Sequence, residues 1–303
     1  VGDTRHPLYY LTAAGVLNVV CNLFLVCVCN LGVAGVAIAS ALSQYLSALL
    51  VLRYLMRLEN ACRLSFRMLR IYKRESLEMI RIGIPAGLQS TIFSVSNVLI
   101  QSAINSFGAT IIAGNVAASN LDSIVYIAMN AFSQASVSFV SQNVGAGKLD
   151  RLPRIALCCY LLTSIVGIVL SSLFCLGGRA LLAIYNREPD VIAAGMIRLR
   201  WVCLPYLLCG TMEIGCGIIR GMGHSWLPMI VSTLGCCVLR IVWIATIFQQ
   251  QHTLPVLYFS YPVSWLLTGL VHLGCAVIIY RQLKKKQVPI HSQMPLFKAG
   301  TGA

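Results

Sequence analysis

Three ionisable side chains, Asp122, Glu213 and Arg240, stand inside long apolar stretches of the chain. A charge placed in hydrocarbon is expensive, so each marks a candidate functional position. Asp122 shares a helical stripe with Asn115, Ser119, Tyr126, Asn130 and Ser133, at steps of three or four residues. The preceding apolar segment carries a similar row, Gln89, Asn97, Gln101 and Asn105. Polar faces of this kind suit a water-filled cavity that receives a substrate or a proton and would be costly against lipid. The other open reading is a set of interhelical hydrogen bonds that merely hold a bundle together. Glu213 and Arg240 fall on consecutive segments, with backbones offset in depth by roughly 10 Å at about 1.5 Å per residue. A structural ion pair, proton-coupled switching and substrate contact are open for these two, and the low position of Glu213 in its helix favours the pair. Arg198 and Arg200 are expected to snorkel to the membrane interface. Asn18 and Asn22, four apart on one face, and Ser40 on the next segment offer oxygens that could hold a hard cation or simply pack two helices.

Catalysis finds little support. His272 stands alone, while His6, His224, His252 and His291 lie at ends or in loops, without a triad or an HxxxH pair. The chain is therefore expected to be no enzyme, with no resident metal or organic cofactor. Its 13 cysteines lie mostly in apolar runs without a CxxC pair, which reads as packing. Gly145, Gly147, Gly221 and Gly223 read as helix caps or hinges. Lys148 does not close a phosphate loop, because Leu149 replaces the required Ser or Thr and Gln142 occupies the upstream glycine position.

The elements that must position these groups follow from composition. Of 303 residues, 58% are hydrophobic and 11% charged, and the mean hydropathy is +0.80, which excludes a water-soluble domain. At about 20 apolar residues per span, the chain holds eight membrane helices, near 8–29, 33–52, 82–107, 112–141, 153–176, 192–219, 226–248 and 257–280. The fold class is thus all-α and polytopic. Lysine and arginine number 23 against nine acidic residues, and 18 of the 23 fall on one side of this arrangement. The positive-inside bias places both termini in the cytoplasm and assigns the net charge of +14 to topology and anionic lipid rather than nucleic acid. Arg63, Arg67, Arg70 and Arg74, at helical spacing, predict an interfacial linker helix.

The opening Gly2-Asp3-Thr4-Arg5-His6-Pro7 has a counterpart in Gly223-His224-Ser225-Trp226-Leu227-Pro228. This pattern points to an internal repeat of which the first copy has only its last two helices. The chain, which begins with Val1, is accordingly read as a fragment of a twelve-helix protein. Residues 1–57 would end an amino-terminal lobe, 58–78 form a basic interlobe linker, 79–286 a six-helix carboxy-terminal lobe and 287–303 a cytoplasmic tail.

Five stretches resemble the multidrug and toxic compound extrusion (MATE) transporters: Gly2-Asp3-Thr4 with Pro7; residues 31–44, LGVAGVAIASALSQ; residues 82–89, IGIPAGLQ; residues 142–148, QNVGAGK; and residues 220–225, RGMGHS. The resemblance implies two facing six-helix lobes. It also implies cation-coupled (H+ or Na+) export of organic, often cationic, drugs by alternating access from a bacterial cytoplasmic membrane. In part of that family the positions of Asn18, Asn22 and Ser40 belong to an amino-lobe cation site, with an acid where Asn22 stands here. In another branch a glutamate anchors a carboxy-lobe site at the position of Phe93. The expected partners are small organic substrates and membrane lipids, and the expected state is a monomer. A lipid-linked oligosaccharide flippase is the alternative, although Arg240 alone is a thin supply of cations for a pyrophosphate. An intramembrane enzyme would need a constellation that the sequence lacks, and a channel would need a repeated charged ring or filter.

Overall fold

The computed structural model describes residues 5–58, 63–66 and 70–291. Ten helices and no strands occupy the described residues: α1 (Arg5–Val28), α2 (Gly32–Arg57), α3 (Lys73–Asn105), α4 (Ala109–Gly145), α5 (Leu149–Leu176), α6 (Gly178–Tyr185), α7 (Pro189–Cys203), α8 (Tyr206–Gly221), α9 (Trp226–Gln250) and α10 (Leu254–His291). Seven are long and apolar enough to cross a bilayer, and α7 with α8 make an eighth if they count as one span bent by 42°. The all-α, polytopic expectation holds. The span read over 192–219 bends at Pro205, as a proline within a helix predicts, because it has no N–H to donate and its ring displaces the carbonyl one turn earlier. A wide π turn at Leu199–Cys203 absorbs the mismatch just before the bend.

Two compact units divide at Lys73, residues 1–73 and 74–303. In the first, α1 and α2 pack as a pair, with Gly35 admitting Leu25 closely. The predicted linker helix is not formed in the described residues 63–66 and 70–72, none of which is α-helical; Arg67 lies outside the described residues. Arg74 instead lies in the first turn of α3, which starts within the stretch read as linker.

In the second unit α8 is the hub, packed against α4, α5 and α10. Its glycines make this possible, since helices in lipid associate by close packing and polar contacts rather than by expelling water. A Cβ on Gly217 would strike Ser136 Oγ and stand 2.9 Å from the Ser133 carbonyl of α4, and one on Gly215 would stand 2.8 Å from Cβ of His272 in α10. Ser133 then donates to the Glu213 carbonyl at 3.0 Å, and the buried His272 ring reaches the Met212 carbonyl at 3.2 Å. Apolar side chains such as Ile127, Ile168, Val169 and Leu270 face outward, as a lipid-facing surface requires. Helix α3 is not among the close backbone pairings and meets the rest of the unit through long side chains. The cap reading is realised at Gly147 and Gly223, with φ of +69° and +87°, where the next N–H reaches back to Asn143 and Ile219. Gly145 and Gly221 are helical.

Gly217→Ala should therefore lower the thermal midpoint of the detergent-purified chain, by an overpacking cost of about 1–3 kcal/mol. Gly87→Ala, whose Cβ meets nothing within 4 Å on α3, should leave it unchanged or raise it by about 0.5–1 kcal/mol. Thermal unfolding followed by fluorescence-detected gel filtration separates the two.

Candidate functional site

Between α3 and the bundle of α4, α7, α8, α9 and α10 lies a cavity of about 660 Å³, entirely within the second unit. It brings together Asn97 and Gln101 from α3, Asp122, Tyr126 and Asn130 from α4, Glu213 from α8 and Arg240 from α9, while Asn105 and Ser133 of the two marked rows stay outside it. The polar stripe of α4 thus lines a cavity rather than only tying helices together, because its three-and-four spacing keeps one face toward α3.

The charges are not partnered as expected. Arg198 does not snorkel: it is buried, and its Nε donates to Asp122 Oδ2 at 2.9 Å. Its Nη1 donates to Asn115 Oδ1 at 2.8 Å, which also accepts from Tyr258 Oη at 3.0 Å. Asn115 Nδ2 continues to Gln101 Oε1 at 3.1 Å, and Gln101 to Asn105 at 2.9 Å. The packing of α7 on α4 turns Arg198 inward, toward a carboxylate that a snorkelling side chain would never meet. Asp122 is therefore neutralised where it stands.

The expected Glu213–Arg240 pair is also absent. Among the described residues neither side chain takes part in an ion pair. Arg240 Nε donates to Ser264 Oγ at 2.8 Å, and its guanidinium lies 4.1 Å from the Tyr261 ring centre and 5.6 Å from that of Trp265. Aromatic faces on α10 supply the compensation that a carboxylate was expected to supply. Glu213 lines the cavity about two helical turns before Arg220, whose Nη2 donates to Gln89 Oε1 on α3. The sequence reading counted Arg220 with a cytoplasmic connection, yet it lies in the last turn of α8 and lines the cavity.

In the first unit, Asn18 Nδ2 donates to Ser43 Oγ at 3.2 Å and Asn22 Nδ2 to Asn18 Oδ1 at 3.0 Å. The structure joins Asn18 and Asn22 as expected but brings Ser43, not Ser40, to them; the Ser40 side chain is exposed and only its carbonyl, which accepts from Ser43, is engaged. Asn22 Oδ1 is buried with no hydrogen-bond partner. This is a small set of neutral oxygens without a carboxylate.

Sequence reasoning missed Arg198, Arg220, Tyr261 and Trp265 as cavity residues, and Tyr258 and Ser264 as hydrogen-bond partners of cavity residues. A signal was present: Tyr258, Tyr261, Trp265, Thr268 and His272 repeat at three or four residues along α10, the pattern that had marked α4.

Because Asp122 and Arg198 are buried together, Asp122→Asn or Arg198→Met alone strands a charge in a low-dielectric interior. Each should destabilise the purified chain by about 3–5 kcal/mol. The double variant should recover part of that loss, and thermal melts of the four proteins test it; additive losses would mean that the two charges are not coupled.

Comparison with known proteins now adds to this geometry. A family model described as MatE matches residues 85–246, which contain most of the cavity wall. The chain is 30% identical over 241 residues to YpnP of Bacillus subtilis, a probable multidrug resistance protein, covering 79% of this chain and 54% of that one. It is 24% identical over 296 residues to YoeA of the same organism, also named a probable multidrug resistance protein, covering 95% and 63%. The chain thus spans between half and two thirds of the length of these relatives. A crystal structure of MATE in the bent conformation superposes with a TM-score of 0.82 at 16% identity, over 95% of this chain and 64% of that one, which shows a shared fold. With more than half of its length matched by that model, the chain belongs to the MatE family.

Proposed function

We propose that this chain serves secondary active efflux of small organic compounds across a bacterial cytoplasmic membrane. The observation that carries the reading is the cavity itself. A chamber of about 660 Å³ within apolar spans, walled by Gln101, Asn130, Glu213 and Arg240, holds groups that no lipid-facing surface would tolerate. A volume of this order suits a drug-sized solute. The multidrug resistance names of the relatives support the same substrate class.

Alternating access with H+ or Na+ as the driving ion is part of this proposal. With Asp122 held by Arg198, Glu213 is the carboxylate in the cavity that is free to exchange partners. One carboxylate cannot at once be protonated and serve as counter-charge to an organic cation, so a proton taken up there would release a basic substrate, and the reverse. Asn18 and Asn22 offer a second, weaker place for a cation, whose charge would need neutralising from elsewhere. Helix α3, bridged to the bundle by Gln89–Arg220 and Gln101–Asn115, is the cavity wall without a close backbone pairing, which suits it to move. A two-lobe, twelve-helix transporter, monomeric and with both termini cytoplasmic, completes the proposal.

Two measurements test it. In proteoliposomes with an imposed pH or sodium gradient, norfloxacin, which carries both a basic amine and a carboxylate, should move against its own gradient with the wild-type protein. Glu213→Gln should lower that flux at least tenfold while the melting temperature stays near wild type; undiminished flux would reject Glu213 as the exchanging group. For orientation, single cysteines replacing Lys148 and Gln250 in a cysteine-free background should react with an impermeant maleimide from opposite sides, Gln250→Cys from outside. Labelling of both from outside would overturn the topology.

A further inference from the structure

The charges of the cavity do not balance in the way an exporter of simple organic cations would need. Three guanidinium groups, Arg198, Arg220 and Arg240, line it against two carboxylates, Asp122 and Glu213. Arg198 and Asp122 cancel. Arg240 is left without an acidic partner among the described residues, although it is only 3% exposed.

Its surroundings are built rather than incidental. The guanidinium carbon lies 4.1 Å from the Tyr261 ring centre and 5.6 Å from that of Trp265, two rings of the same helix, and Ser264 takes Nε, so aromatic contact and a hydrogen bond together seat the planar fork. Nη2, on the remaining edge, is buried and has no hydrogen-bond partner. Arg220 repeats the theme: Nη2 is taken by Gln89, while Nε is buried and unpartnered. A buried charged donor left unsatisfied is costly, and cation–π contact offsets only part of that cost. A planar fork of N–H groups matches an oxyanion, carboxylate or phosphate, better than any neutral acceptor.

We infer that Arg240, seated on Tyr261 and Trp265 with one edge free, is an anion-recognition group of the cavity, so that the solutes bound there carry a carboxylate or phosphate on an aromatic or apolar frame. The rings beside the guanidinium line the same cavity and supply the flat apolar surface for that frame. A zwitterion satisfies Arg240 and Glu213 together. This inference rests on the reading of the cavity as the substrate chamber and narrows what that chamber accepts.

Calorimetric titration of the purified chain in phosphatidylcholine nanodiscs tests it, with phenyl phosphate, benzoate and the uncharged benzyl alcohol as probes. Phenyl phosphate or benzoate should bind at least tenfold more tightly than benzyl alcohol. Arg240→Gln should remove most of that preference, and Glu213→Gln should leave it intact or strengthen it. If Arg240→Gln does not fold, Tyr261→Leu takes its place, since it unseats the guanidinium and should weaken anion binding several-fold. Equal binding of anions and alcohol by wild type overturns the inference, as does wild-type anion affinity in Arg240→Gln or in Tyr261→Leu. In discs containing phosphatidylglycerol, loss of phenyl phosphate binding would identify a lipid headgroup as the natural source of the anion, and unchanged binding a soluble solute; either keeps the site. Binding needs no transport, so a failure of gradient-driven flux leaves this result standing, and a failure here leaves efflux untouched.

Discussion

The buried pair of Asp122 and Arg198 is the interaction on which the second unit depends. Two opposite charges removed from water each lose a large hydration energy, and only a short, well-directed contact with further hydrogen bonds returns enough of it. Here the contact is 2.9 Å, and Asn115 and Tyr258 complete the arginine's surroundings. The pair joins α4 to α7 and passes through Asn115 to Gln101 on α3 and Tyr258 on α10. Four helices thereby share one polar network inside a bundle whose outer surface is apolar.

Cancelling those two charges also decides what the cavity can do. Once Asp122 is committed, the charged groups of the cavity without an ion-pair partner among the described residues are Glu213, Arg220 and Arg240. Glycines on α8 make this arrangement possible, because close approach of α4 and α10 leaves the space on the α3 side open rather than filled. Packing and chemistry are thus set by the same helix. One of its faces is stripped of side chains for contact, and another carries Glu213 and Arg220 toward the cavity.

Helix α3 is the counterpart of that rigid core. It carries Pro85 in its interior and meets its neighbours through Gln89 and Gln101 and through a buried apolar edge of Ile100 and Ile104, without a close backbone pairing. Its hydrogen bonds can be exchanged for water at small net cost, whereas α4 and α8 are locked by close backbone packing at glycines.

Much of this was legible in the amino-acid sequence. Hydropathy fixed the all-α, membrane-spanning class, because a span needs a long apolar run whatever its neighbours are. The period of α4 named Asp122, Tyr126 and Asn130 as one face, since helical geometry is local and turns spacing directly into direction. Partner choice was not legible. Glu213 and Arg240 looked like a pair because they were the unexplained charges on consecutive helices, and Arg198 looked like an interfacial residue because it lies near a helix end. The rotation of each helix about its axis, and the bend at Pro205, decided otherwise: they set Arg198 against Asp122, 76 residues earlier, and Arg240 against the rings of α10. Sequence spacing reports which side chains share a face. Which face looks at which depends on packing between helices, and that is a property of the whole bundle alone.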